Sequence, residues 1–477
     1  MEMQRRQFLG TMMAGSAVLM GVGSMTGAQA QTGISIISPG CRTSKVKIAK
    51  LYLGIPKALW PTPAMDLAEE RKRYEAEFDK RAKEFADCEF TVNELLTKPE
   101  EFDAVKDRLA DVDGVLAIHL SMGVSGILSN LLAAGKPVML IAAPYSGHEW
   151  TSFGGLVQST DKGMLECILS SDFNQLAVAV RPFRAIHHLR EARIVNISSR
   201  QPRAEYLQPI KDKFGTQVIT VDKDHTMAAY NAVPDAAARE EAKRWMSEAQ
   251  KVVEPNEDEI FRSCKLALAF EILMNEQNAS AITTDCYGTM YRQLPAFPCI
   301  GNVRLNDMGL AGICESDLQS AMTHIILQSL SGKPGFIGDP TVDEAAGGII
   351  LAHCLGSTKM DGPDGERCPY RLRTIMERQE GAVPQVFMRK NQRVTQALLV
   401  GSDLMPYFTG EIIDTPDSDR GCRTQITVKV DGSLEALWKN WKHTLHRVTV
   451  YGDVLKDLQR FCKFKAVKLY DEAAVTA

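Results

Sequence analysis

The sequence predicts an α/β protein: two Rossmann-like α/β units, then a mixed α+β unit with an antiparallel, barrel-like sheet. Three observations lead there. Short apolar runs bounded by turn residues alternate with helical stretches through the first part of the chain, the pattern of parallel sheets. From Ser280 onward, glycine and proline become frequent and short apolar runs alternate with loops. Near the end, residues 425–430 and 447–450 alternate apolar and polar side chains as antiparallel strands do.

The elements follow in order. Residues 45–55 are strand-like, and the charged stretch 65–86 is helical. Two apolar runs, 114–120 and 137–143, read as strands separated by a helix over 123–134. A second, smaller α/β unit shows a strand at 192–197, a helix at 204–214 and a strand at 217–221. Residues 234–254, rich in Ala, Glu, Lys and Arg, predict one helix, which Pro255 ends. Asn256 with Glu259 three positions on forms a capping-box pattern, starting a helix that runs to about residue 275. The expected divisions are 1–30, 31–180, 181–277 and 278–477.

The chain has 477 residues, 45% of them hydrophobic and 24% charged, which excludes a disordered chain. At roughly 150 residues per domain the length suggests about three domains. With 55 basic and 59 acidic side chains the net charge is -4, which argues against coating nucleic acid or anionic lipid. Residues 1–30 read as a signal peptide: Arg5 and Arg6, an apolar Gly-rich stretch, then Ala28-Gln29-Ala30. Arg5-Arg6 followed by Gln7, Phe8 and Leu9 resembles the twin-arginine export signal, which implies a periplasmic or secreted destination reached in the folded state. No other apolar run approaches the ~20 residues of a membrane span, so no stable membrane anchor is expected.

Common catalytic motifs are absent: the sequence has no P-loop, G-x-G-x-x-G, G-x-S-x-G or H-E-x-x-H pattern. Polar chemistry gathers instead between Asp285 and His446. Glu315 and Asp317 open a helical run over 318–330, which Gly332 terminates. Asp339 ends a short strand, His353 follows a Gly-rich turn, and His443 and His446 precede the strand at 448–451. Converging Asp, Glu and His side chains suit a hard or borderline divalent ion such as Mn²⁺. Each also has a structural role open to it: Glu315 as a helix cap, His353 as a hydrogen-bonded core residue, and the two later histidines as a helix-surface pair. The 11 cysteines include no C-x-x-C pair, and Cys286, Cys299, Cys314, Cys354 and Cys368 crowd into one third of the chain. Small buried residues near a core are their expected role, with a disulfide as the alternative.

The segment from Cys314-Glu315-Ser316-Asp317 to Gly338-Asp339 resembles the metal-site segment of the L-fucose isomerase and L-arabinose isomerase superfamily. There an E-x-D triplet starts a helix and a following strand delivers the second acidic ligand. The residues from Leu445-His446 to Gly452-Asp453 are similar to the family's C-terminal His-His segment, with Leu445 replacing the first histidine. Asp113 to His119 and Lys136 to Ile141, followed by Gly147-His148-Glu149-Trp150, are similar to its N-terminal domains. The resemblance implies a metal-bearing domain over 278–477, with Glu315, Asp339, His353 and His446 as ligands and Mn²⁺ as the ion. It implies an aldose-ketose isomerase acting on a small sugar through a cis-enediol. In that reaction Glu315 and Asp339 are the catalytic pair, and Asp317 is a second acceptor behind a histidine. It further implies a homo-oligomer, a trimer or hexamer.

Trp150 and Asp285 are the candidate substrate-binding residues. Trp438 and Trp441 are further candidates for stacking on a sugar, with core packing the alternative for each tryptophan. An export signal is unusual for a sugar isomerase. Two other functions therefore stay open: an exported hydrolase or lyase acting on glycosides, and a non-catalytic periplasmic sugar-binding protein.

Overall fold

The computed structural model describes residues 44–159 and 164–475. The expected signal peptide, residues 1–30, lies outside them. No described helix is long and apolar enough to cross a membrane.

The architecture is mixed α/β, with parallel sheets first and an antiparallel, barrel-like sheet toward the C-terminus. Strands β1 (Val46–Leu53), β2 (Cys88–Leu96), β3 (Gly114–His119), β4 (Val138–Ala142) and β5 (Leu165–Leu169) form one parallel sheet in the order β2-β1-β3-β4-β5. Every residue of β3 and β4 is buried, as expected of central strands covered on both faces. The second parallel sheet begins with β6 (Arg193–Ile197) and β7 (Gln217–Val221). After the short β8 (Lys251–Val252) it is completed by β9 (Ala281–Thr284) and β10 (Ala311–Cys314), in the order β10-β9-β6-β7. Two of its strands thus lie beyond residue 278, where the texture of the sequence changes.

The remaining strands are β11 (Phe336–Asp343), β12 (Gly348–His353), β13 (Tyr370–Arg373), β14 (Val383–Val386), β15 (Gln392–Ala397), β16 (Leu404–Asp414), β17 (Thr424–Val430), β18 (Arg447–Tyr451) and β19 (Lys468–Asp471). Antiparallel pairing runs β15-β18-β11-β12-β17-β16, and β16 pairs again with β15, so six strands close on themselves. β19 adds to β16 in parallel. Period-two alternation sorts the side chains. Phe336, Leu351, Phe408 and Ile426 enter one core, while Ile337, Val448 and Val450 enter another shared with helices Leu318–Ser331 and Leu455–Phe464.

Two expectations need correction. The helix anticipated over 234–254 stops at Glu248. Gln250 and Val253 then donate their backbone N–H groups to Tyr370 and Leu372, so strand pairing wins over local helix propensity. The strand expected to end at Asp339 runs on to Asp343, because β12 pairs with it along that length.

Helix Arg181–Glu191 holds the two parallel sheets together. Phe183 packs in the first sheet's core, and Ala185 and Leu189 pack in the second's. Gly114 admits this contact, since a Cβ there would lie 2.2 Å from the Phe183 ring. The helix is tied down by buried charge. Arg184 donates to both carboxylate oxygens of Asp87, at 2.8 and 3.0 Å, and His187 and Arg190 donate to Asp113 at 2.8 and 2.5 Å. His188 meets Ser329 at 2.7 Å, linking the helix to Leu318–Ser331.

Burial works to raise the Asp87 pKa, but the Arg184 guanidinium overrides it and holds the carboxyl below the usual aspartate range. The pair therefore stabilises the fold above the ordinary aspartate pKa, and that stabilisation is lost as pH falls through the depressed value. Asp87→Asn should destabilise the protein by about 3 kcal/mol at neutral pH, since it leaves a buried guanidinium without its counter-charge. Urea denaturation should show the gap from wild type shrinking as pH falls below about 4.

Candidate metal centre

Strand β10 delivers the first residue of the site. Its carboxyl end turns into helix Leu318–Ser331 through Glu315 and Ser316, both in the left-handed region with φ of 63° and 54°. Each left-handed non-glycine residue costs about 1 kcal/mol or more. The turn is held by the Ser316 N–H donating to Thr284 O at 3.1 Å and by the Ser316 hydroxyl donating to Asn196 at 2.7 Å. Asp317 caps the helix, accepting from the Ser320 N–H at 3.0 Å. Glu315 is therefore free of capping duty and sits at the carboxyl end of a parallel strand, where open α/β sheets gather ligands.

The barrel-like sheet supplies the other residues. β18 pairs with β11 so that Arg447 lies opposite Gly338, and continuing that register sets His446 opposite Asp339. On the other side Asp339 pairs with Ala352, next to His353 at the end of β12. Three adjacent strands thus bring His446, Asp339 and His353 to neighbouring positions at one edge of the sheet, beside Glu315. His446 Nε2 lies 3.1 Å from Asp339 Oδ1 and 3.8 Å from Glu315 Oε2, and His353 Nε2 lies 3.7 Å from Glu315 Oε1. One ligand atom each from Glu315, His353 and His446 fall within 4.8 Å of one another.

The start of β18 is anchored from behind. Arg447 and Glu472 are both fully buried, and Arg447 donates to the two Glu472 oxygens at 3.1 and 2.7 Å. Glu472 follows directly on β19, so the C-terminal strand fixes the residue next to His446.

Polar atoms at this point lack partners. Asp339 Oδ1, both ring nitrogens of His353 and Nε2 of His446 are buried without a hydrogen bond. Such orphaned groups cost about 1–3 kcal/mol each. The other nitrogen of His446 is satisfied, donating from Nδ1 to Asp317 Oδ2 at 2.9 Å. A carboxylate only accepts, so Nδ1 keeps its proton, and it is the Nε2 proton, facing Glu315 and Asp339, that an incoming ion would displace to gain a lone pair. That is how metal-binding histidines are oriented. Two imidazoles and two carboxylates fit a divalent ion of the Mn²⁺ class, and Glu315, Asp339, His353 and His446 are the residues that could hold it.

The titration behaviour separates the four. Burial, reinforced by the negative charges of Asp339 and Asp317, pushes Glu315 above the usual carboxylate range. Burial acts the same way on Asp339, but its contact with His446 prevails and holds it below that range. Burial lowers His353 to about 4. It also works to lower His446, yet Asp317 and Asp339 together raise that imidazole to about 10.

The other sequence candidates lie elsewhere. Asp285 accepts from the Thr289 N–H and hydroxyl at 2.9 and 2.8 Å and from Ser198 at 3.3 Å, so its carboxylate is committed to a turn after β9. Trp150, at the start of helix Trp150–Gln158, is 54% exposed and does not line the cleft beside Glu315. Trp438 is also exposed and serves no core, whereas Trp441 packs near Phe408 and beneath the Arg447 guanidinium. The cleft has a volume of ≈ 210 Å³. Its walls include residues the sequence did not single out, Tyr287, Glu377 and Cys422, together with Leu445, which stands where the resembling family has a histidine. Cys368 does not line it, although four cysteines grouped with it in the sequence do.

No known protein-family model matches the chain. Two curated relatives do. The chain is 25% identical over 304 residues to a protein named sulfoquinovose isomerase from Alkalicoccus urumqiensis, a match covering 58% of this chain and 65% of that one. It is 24% identical over 263 residues to the sulfoquinovose isomerase of Clostridium sp. (strain MSTE9), covering 51% and 56%. The chain thus spans less than two thirds of either relative's length. Both are named as isomerases, the reaction class that the sequence resemblance implies.

Calorimetric titration with Mn²⁺ should give binding that weakens about 10–100-fold in Asp317→Asn, which removes the charge orienting His446 without removing a ligand. Because His446 stays protonated until about pH 10, binding at pH 7 should release a proton and strengthen as pH rises. Repeating the titration in buffers of different ionisation enthalpy reads that release directly.

Proposed function

We propose that the protein is a divalent-metal-dependent aldose-ketose isomerase of carbohydrate metabolism, with Mn²⁺ as its ion and an open-chain sugar as substrate. The observation that carries this reading is the convergence of Glu315, His353 and His446 ligand atoms within 4.8 Å, beside Asp339, with buried atoms of Asp339, His353 and His446 lacking hydrogen bonds. The two isomerase relatives support the reaction class. Sulfoquinovose, the sugar in their names, is the first substrate to test.

When bound, a divalent ion would supply positive charge to the sugar oxygens and stabilise the enediolate that forms between C1 and C2. The chain's own groups perform the rest. A cis-enediol route moves one proton between C1 and C2 on one face of the sugar, which needs a carboxylate with proton affinity near the working pH. We assign that role to Glu315, whose proton affinity burial raises above the usual carboxylate range against the opposing charge of His446. Asp339, kept ionised by His446, accepts hydrogen bonds from the sugar hydroxyls. Neighbouring carboxylates pushed apart in pKa divide acid-base work in this way. Leu445, 58% exposed, gives the cleft an apolar edge.

The test sets sulfoquinovose, unsubstituted aldoses and simple glycosides side by side, with and without added Mn²⁺. Interconversion of an aldose and its ketose that chelator abolishes and Mn²⁺ restores is the expected result. Glu315→Gln should lower kcat by about 10²–10⁴-fold. Cleavage of a glycoside with no aldose-ketose interconversion, or full activity in Glu315→Gln, overturns the reading.

A further inference from the structure

The cleft contains a second convergence of different chemistry. Cys354 follows His353 at the end of β12, Glu377 lies in the turn between β13 and β14, and Cys422 lies two residues before β17. The Cys422 thiol donates to Glu377 Oε1 at 3.0 Å, and the Cys354 thiol points to Glu377 Oε2 at 3.9 Å. One ligand atom from each of the three falls within 4.8 Å of the others. Both cysteines are free thiols.

The surroundings suit ion capture. Tyr287 donates its hydroxyl to Glu377 Oε2 at 3.2 Å, which orients the carboxylate from behind. Cys354 packs with Cys299, Ile375 and Val383, and Tyr287, Phe297 and Cys422 pack against that cluster, giving the thiols an apolar backing. Glu377 is exposed and lines the cleft with both cysteines, so an ion has a way in.

We infer that Cys354, Glu377 and Cys422 form a second cation site, selective for a thiophilic divalent ion of the zinc class. Two sulfurs and one carboxylate oxygen are the donor set of a tetrahedral zinc site with its fourth position open, whereas Mn²⁺ prefers oxygen and nitrogen donors. Binding takes both cysteines as thiolates and releases two protons to solvent. Softness of the donors then sorts ions between two neighbouring sites in one cleft. This assignment does not depend on the isomerase reading.

Co²⁺ is the probe, because sulfur ligation gives it an intense near-ultraviolet charge-transfer band that oxygen and nitrogen ligation does not. The full chain, reduced and saturated with Mn²⁺, should develop that band on titration with Co²⁺ and lose it when Zn²⁺ is added. Cys354→Ser/Cys422→Ser should abolish the band, and Cys422→Ala should do so if the double variant fails to fold by circular dichroism. Cys286→Ser/Cys314→Ser should keep the band, since that buried pair, 3.5 Å apart, is a separate contact. Glu315→Gln should keep it too, so failure of the Mn²⁺ centre and failure of the zinc-class site give different results. Absence of the band in the wild type, or its survival in a folded Cys354/Cys422 variant, overturns the assignment.

Discussion

The candidate centre depends on one register, the alignment of β18, β11 and β12. Backbone ladders hold Arg447 against Gly338 and Asp339 against Ala352, and a slip of one residue would turn every side chain of the moved strand to the opposite face. Such a slip would take Phe336 and Leu351 out of one core or Val448 out of the other and put side chains of different size in their places, so the packing on both faces polices the alignment. The same apolar contacts that stabilise the barrel-like sheet therefore hold His446, Asp339 and His353 at neighbouring strand ends. Ring closure through β15 and β16 removes the freedom an open sheet would have to drift.

The second constraint is the turn at Glu315 and Ser316. Two consecutive left-handed residues without glycine are unfavourable in isolation and persist here because neighbours on both sides hold them. Thr284 and Asn196, from the two adjacent strands of the second sheet, grip the turn, while Asp317 serves both as helix cap and as partner of His446. A single carboxylate thus ties the parallel sheet, the following helix and the barrel-like sheet to one point. Helix Arg181–Glu191 extends that rigidity outward, since it packs on Leu318–Ser331 and is bolted to the first sheet through Asp87 and Asp113.

Much of this was legible in the sequence, for reasons that differ between elements. Residues 204–214 and 217–221 show clean helical and strand signals and fold as read. Glu315, Asp339, His353 and His446 stood out because each adjoins a strong turn or strand signal, and the fold does bring them together. Helix Arg181–Glu191 escaped notice because Arg184, His187 and His188 give it a polar texture, yet all three are buried by specific partners. β2 and β5 are sheet edges with mixed burial, and half-exposed edges carry weak hydrophobic periodicity. Glu377 and Cys422 had no local signal, since only the antiparallel sheet folds them back against Cys354. Asp285 sits in a turn, Trp150 and Trp438 are exposed, and Trp441 takes the packing role open to it, because residue type alone cannot tell a turn-forming carboxylate or a packed ring from a ligand contact.

The buried Arg447–Glu472 pair has a temporal meaning. Glu315, Asp339 and His353 emerge from the ribosome well before His446, and the residue that steadies the start of β18 emerges later still. A nascent chain cannot complete this centre before Glu472 has been made. Its geometry comes into being only once residue 472 has joined the fold, so the last strand described completes what β10, β11 and β12 begin.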